Sequence, residues 1–243
     1  GHASGRRPAR PAREREVNSI PFANHMIRIT YYVDVGPSWC WWAEPAWAEL
    51  KERYAGRAEF NWQTALIPAD ALPATREQED WFYRRSEVIT RSPYRLNGGW
   101  LEPGLGEYLA PNAVAEAAKD FDVPDDRVRL AVARAAVLEG RPVGRWEIAA
   151  EAGAAGAGLD PAKLLAHARS PAVEQRVRAS RAAFHALQVT QRPAFVIEDD
   201  IGDRAVLSGL WTAAPFAGVI EAMLADTAAY AAWRAHFGDP PAG

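Results

Sequence analysis

The sequence predicts an α/β fold in which a long all-helical block interrupts a small sheet domain. Three observations carry that prediction. A β-branched and aromatic run, Ile27 to Val35, leads through a turn into helical spacing and then into an alternating run, Ala58 to Ile67. From about Pro68 to Thr190 the apolar spacing is helical. Strand character returns at Ala194 to Glu198 and Arg204 to Leu207.

In chain order, residues 1–26 form a basic tail with five arginines between Arg6 and Arg15, broken by Pro8 and Pro11. Such a stretch is too polar to pack and reads as disordered. The first strand ends where Gly36 favours a turn and Pro37 cannot donate to a ladder. Trp41 to Tyr54 then keeps Ala46, Trp47, Leu50 and Tyr54 at helical spacing. In Ala58 to Ile67, Phe60, Trp62 and Thr64 alternate with Glu59, Asn61 and Gln63. Strand, helix and strand make a β-α-β unit, whose strands pair in parallel.

Within the helical block, Thr75-Arg76-Glu77-Gln78 reads as a helix start, with the helix running to Ile89. Asn97-Gly98-Gly99 is a turn and Pro103 to Gly106 a loop. Helices follow at Asn112 to Phe121, Asp125 to Glu139, Arg145 to Ala152, Asp160 to Ala168 and Pro171 to Leu187; Asp160-Pro161 supplies an N-cap and a first-turn proline. The two late strands form an antiparallel hairpin around Asp199 to Asp203. Pro215 to Leu224 and Thr227 to His236 close the chain as two helices.

Composition excludes several classes of function. The net charge of −3 gives no global attraction for nucleic acid. No apolar run approaches the roughly 18 residues of a membrane span. One cysteine allows no internal disulfide, and five scattered histidines offer no zinc cluster. No metal is expected. The N-terminus has no apolar leader core, which reads as cytoplasmic. Ten tryptophans are the compositional oddity.

Asp34-Val35-Gly36-Pro37-Ser38-Trp39-Cys40-Trp41 resembles the active-site segment of the DsbA-like thioredoxin superfamily. That group includes FrnE-type oxidoreductases, kappa-class glutathione transferases and 2-hydroxychromene-2-carboxylate isomerases. Its redox members carry Cys-Pro-Trp-Cys where this chain has Pro37-Ser38-Trp39-Cys40, so the first cysteine has become Pro37. Its transferase and isomerase members place a serine at that first position; here the serine comes one place later. The resemblance implies a thioredoxin-like domain of residues 27–70 plus 190–243, with a helical insertion at 71–189. It also implies thiol-dependent oxidoreductase, transferase or isomerase chemistry on a small hydrophobic or electrophilic substrate. A low-molecular-weight thiol such as glutathione or mycothiol would serve as cofactor. The expected partners are that thiol or a small molecule, and the chain is compatible with a homodimer. The alternative is a non-catalytic binding module that uses a tryptophan-lined cleft.

Cys40, Ser38 and Asp34 are the candidate catalytic residues. A thiol at a helix start feels the positive end of the helix dipole, which favours thiolate. Against that, Cys40 matches the second, deeper cysteine of the pair and also reads as a buried small hydrophobe. Ser38 can donate to a bound thiolate or cap the helix. Asp34 is either a buried proton acceptor or a strand-end residue that bonds loop backbone. Pro37, Trp39, Trp42, Arg192 and Pro193 are the candidate thiol-binding residues. Pro193 resembles the cis-proline that opens the third strand of thioredoxin folds; a cis peptide there would turn the Arg192 N–H and C=O toward a ligand. Trp39 and Trp42 are expected to face the cleft, with Trp41 and Trp81 near it, and Trp47 and Trp62 to fill the core. Arg84, Arg85, Tyr83 and Asn97 are weaker candidates for a ligand's carboxylates.

Overall fold

The computed structural model describes residues 26–241. The predicted basic tail lies outside the described residues apart from Met26. A four-stranded sheet in the order β2-β1-β3-β4 forms the frame. Here β1 is Ile27–Val33, β2 is Ala58–Thr64, β3 is Ala194–Glu198 and β4 is Arg204–Ser208. β1 pairs in parallel with β2, and β3 lies antiparallel to both β1 and β4. Between β1 and β2 runs α1, Ser38–Arg53, which makes the parallel connection.

Alternation along β1 sends Ile27, Ile29, Tyr31 and Val33 to one face, where they are buried against α1 and the last helix. Aromatic contacts hold that layer together. The Tyr31 and Phe195 rings stack with centroids 4.7 Å apart, and Phe195 meets Phe216 at 4.0 Å. Such pairs contribute about 0.5–1.5 kcal/mol each beyond the area they bury. On the opposite face Tyr32, Ala194 and Val196 pack beneath Phe184.

The helices between β2 and β3 are α2 (Arg76–Thr90), α3 (Leu109–Ala117), α4 (Arg127–Val137), α5 (Trp146–Ala157), α6 (Pro161–Ala168) and α7 (Pro171–Ala186). The start signals read at Thr75 and Asp160 hold, and Ser170 supplies another. Thr75, Asp160 and Ser170 cap α2, α6 and α7 by accepting hydrogen bonds from first-turn N–H groups. α3 is the axis of this block, buried from Ala110 to its end. At Gly156 a Cβ would meet the Ala131 methyl at 2.4 Å, so glycine there lets α5 lie close on α4.

Several boundaries differ from the sequence expectation: β2 stops at Thr64, α3 begins three residues before Asn112, α5 runs five residues past Ala152, and two further differences have identifiable causes. The first helix begins at Ser38, three residues before Trp41, because Pro37 serves as the N-cap residue and its carbonyl accepts from the N–H of Cys40 and Trp41. The last two predicted helices are one helix, α8, Ala213–Phe237. Nothing between Leu224 and Thr227 breaks a helix, and the Thr227 hydroxyl donates back to the Met223 carbonyl at 2.8 Å.

Candidate active site at the start of the first helix

The chain leaves β1 at Asp34, turns through Val35 and Gly36, and enters α1 at Ser38. Asp34 is 4% exposed, and both its carboxylate oxygens are engaged. One accepts from the Ile67 N–H at 2.7 Å and the other from Asn112 Nδ2 at 2.9 Å. Burial pushes its carboxyl above the usual range, while the Asn112 and Ile67 bonds pull it back. This is the geometry of a strand-end acid that ties β1 to the end of β2 and to α3.

Cys40 lies in the first turn of α1 but points into the sheet layer, 2% exposed. Burial pushes its thiol up to about 12, and the nearby Asp34 and Glu44 carboxylates add to the rise. A backbone hydrogen bond from Asp34 and the positive charge of Arg192 only partly offset this. Burial therefore outweighs the favourable helix dipole, and at neutral pH the sulfur is a thiol.

Ser38 does not cap the helix, since no side chain caps α1. Instead it is buried at the edge of a cavity of about 200 Å³, with Pro37 and Trp39 beside it and Ile67, Glu79 and Tyr83 facing it. That volume has room for several waters. It fits a small ligand, or the reacting end of a larger one.

Across the sheet the Arg192–Pro193 peptide is cis. The β1–β3 ladder ends with Tyr32 facing Ala194, so the cis peptide immediately precedes β3 at the end of the sheet where β1 leads into the turn. The Pro193 carbonyl accepts from the Gly209 N–H, but the N–H and C=O of Arg192 have no hydrogen-bond partner among the described residues. The Arg192 guanidinium turns away from this edge, bonding the carbonyls of Ala65 and Leu66 and lying over the Phe184 ring. Neither Arg192 nor Pro193 lines the 200 Å³ cavity, which sits on the α2 side of Ser38.

The tryptophans divide. Trp39 lines the cavity, half-buried. Trp42, expected to face the cleft, is instead buried in the helical block with its Nε1 donating to Ser86 Oγ at 2.9 Å. Its position one turn further round α1 aims it at α2. Trp41 donates to the Tyr94 hydroxyl, and Trp81 is 57% exposed and does not line the cavity. Trp47 and Trp62 are core residues, as expected. Arg84 is exposed, and Asn97 Oδ1 accepts from the Gly99 N–H within its own turn.

Of the far wall, sequence reasoning named Tyr83 and Arg85, which do line the cavity, but passed over Glu79. Glu79, Tyr83 and Ser86 recur at helical spacing and are the buried residues of α2. A carboxylate inside such a stripe is the available signal. Glu79 is 4% exposed. Burial raises its carboxyl from 4.5 to about 7, the Tyr83 hydroxyl opposes the rise and Asp80 adds to it. The Tyr83 hydroxyl donates to the Gly36 carbonyl at 2.8 Å and accepts from Trp100 Nε1 at 2.6 Å. Gly36 has no room for a side chain, because a Cβ would stand 2.5 Å from Trp100 Cη2. Gly36→Ala is therefore expected to displace Trp100 and lower stability by about 1–3 kcal/mol. Denaturant unfolding of the variant checks this, and an unchanged midpoint would refute the packing described.

Among the described residues no group of three or more His, Cys, Asp and Glu side chains is placed to hold a metal, and no helix is long and apolar enough to cross a membrane.

A family model described as a DSBA-like thioredoxin domain matches residues 28–220. None of the curated proteins matches the chain by sequence. Among solved structures, the cytosolic disulfide reductase DsbM from Pseudomonas aeruginosa superimposes with a TM-score of 0.64 at 20% identity, over 81% of this chain and 98% of that one. Pseudomonas aeruginosa DsbA gives 0.54 at 17% identity, over 85% and 86%. A 2-hydroxychromene-2-carboxylate isomerase gives 0.54 at 13% identity, over 81% and 94%. At these identities the structures establish likeness of fold.

Proposed function

We infer the function from a firm premise: the chain belongs to the DSBA-like thioredoxin domain family. Within it, we propose, this protein is an enzyme that borrows its reactive sulfur from a bound low-molecular-weight thiol. The thiol's sulfur sits beside Ser38 and acts on a small electrophilic or hydrophobic substrate, in oxidoreductase, transferase or isomerase chemistry. Cys40 is not the attacking group, being buried and held as a thiol.

The observation that supports the reading is the peptide of Arg192, a half-buried residue, whose N–H and C=O have no partner among the described residues at the edge beside the turn. A buried backbone donor and acceptor without partners is costly. An extended thiol such as a short peptide satisfies both as a neighbouring strand would. The N-terminal end of α1 adds a field that favours a thiolate. Glutathione is the first probe, because a solved structure of the DsbM reductase contains GSH.

Titration with glutathione, and separately with mycothiol, is expected to quench tryptophan emission through Trp39. Silence with both up to millimolar concentrations would refute the reading. Cys40 of the folded protein is expected to react with iodoacetamide at least about a hundredfold more slowly than in denaturant, from its lost thiolate fraction and burial. Fast alkylation would return the nucleophile's role to Cys40. Thiol binding with no turnover of any electrophile or disulfide would leave a binding module in place of an enzyme.

A further inference from the structure

The cavity beside Ser38 has a single carboxyl in its far wall, and the reading above gives it no task. Glu79 is almost wholly buried and lines the same small void as Ser38. The group beside it able to share a hydrogen is the Tyr83 hydroxyl. That hydroxyl's one proton is committed to the Gly36 carbonyl, and one lone pair is taken by Trp100 Nε1. Tyr83 can thus oppose the rise only in part, and no other group among the described residues donates to the carboxylate, whose protonated form has a lone pair of Tyr83 to donate to. Burial favours the protonated form and the geometry accommodates it.

We propose that Glu79 is the proton acceptor for the thiol bound in this cavity. The thiol's S–H bond breaks, its electron pair stays on sulfur, and the proton forms an O–H bond on the Glu79 carboxyl. One negative charge passes from carboxylate to sulfur, and nothing is oxidised or reduced. The new thiolate lies beside Ser38 and the start of α1, where hydrogen bonding and the helix field favour it. The neutral acid stays in the wall and can return the proton to the product.

The groups facing Glu79 are few. From its own helix come Asp80, Tyr83, Arg85, which lines the cavity but holds its guanidinium over the Trp81 and Phe82 rings, and Arg76, which is bonded to the Gly99 and Leu101 carbonyls. Tyr108 approaches from the segment before α3. The wall from α1 offers Pro37, Ser38 and Trp39, and that from the β2–α2 segment offers Ile67 and Leu72, none of them charged. Among the described residues no cation is buried against Glu79 to hold it ionised. A carboxyl that titrates near neutrality, as this one does at about 7, is suited to exchange a proton with a thiol.

The inference rests on the thiol reading, and the experiment separates the two. Glutathione and S-methylglutathione, which has no S–H, are bound to the wild type and to Glu79→Gln, with saturation followed by tryptophan quenching. The ultraviolet absorbance of the bound thiolate is then recorded against pH, with the S-methylglutathione complex as blank. The wild-type complex is expected to titrate in two steps more than about one pH unit apart, because carboxyl and thiol share a proton. Glu79→Gln is expected to show one step. A single step in both proteins, or no thiolate in the wild-type complex, overturns the role of Glu79 and leaves thiol binding standing. Failure of both ligands to bind the wild type sinks both ideas. Equal unfolding midpoints of the two proteins in mild acid, where the wild-type carboxyl is already protonated, show that the variant is folded.

Discussion

Arg129→Met is expected to lower the unfolding free energy by about 3–5 kcal/mol, the usual loss when one partner of a buried ion pair is removed. Arg129 lies on α4, 2% exposed, and reaches across to α1. Its two terminal nitrogens grip both oxygens of Glu44, and Nη2 also bonds Asp126 at 2.7 Å. The guanidinium sits over the Tyr31 and Trp62 rings. Burial works against its charge, yet Glu44 and Asp126 hold its proton more tightly than usual. Asp126 has two further donors, Trp47 Nε1 at 3.0 Å and the half-buried Lys51 ammonium. Without Arg129, Glu44 keeps only the Tyr31 hydroxyl, and two carboxylates face each other with little water. Urea unfolding of the variant measures the loss, and a change below about 1 kcal/mol would show that the pair merely breaks even with an apolar contact. Adding Glu44→Gln and Asp126→Asn should recover part of the loss, because the stranded charges go with them.

The second large effect is a pH dependence. Glu79 binds its proton more tightly in the folded chain than in the unfolded one, about 7 against 4.5. Its contribution is fully present below the unfolded value and is lost as pH rises through the folded one. At about 1.4 kcal/mol per unit, the wild type should lose about 3 kcal/mol across that window through this residue. Asp34 is shifted in the same direction, so the wild-type curve alone does not isolate Glu79. The difference between wild type and Glu79→Gln does. The variant should be the more stable protein above neutrality and match the wild type in mild acid. Parallel curves across the window would mean that the carboxyl ionises freely where it stands.

Much of the architecture was legible because local chemistry and tertiary packing agree. The β-branched and aromatic run that marks β1 is the run that buries Ile27, Ile29 and Tyr31, and Gly36 and Pro37 end the strand as their backbone chemistry demands. The start of α1 was misread because Ser38 and Trp39 carry no helical stripe of their own. Their place in the helix follows from Pro37 supplying the first carbonyl. The fusion of the last two helices was hidden by Asp226 and Thr227, which look like a break until the threonine's bond back along the helix is seen. At the site, the turn could be located from residue types. The opposing wall could not, since Glu79 is 45 positions beyond the strand-to-helix turn's Asp34 and reaches Ser38 only through the docking of α2. Trp42 shows the same limit: its residue type suits a cleft, but its angular position on α1 sends it into the helical block.

The Tyr83 hydroxyl, giving its hydrogen to Gly36 while receiving one from Trp100, is one of the bolts between the strand-to-helix turn and the inserted helices, beside the Asn112 bond to Asp34. The cavity's two jaws belong to separate stretches of chain, so its bore is set by how those stretches are fastened together. A substitution deep in the inserted block can therefore alter which molecules enter without changing any atom of Ser38.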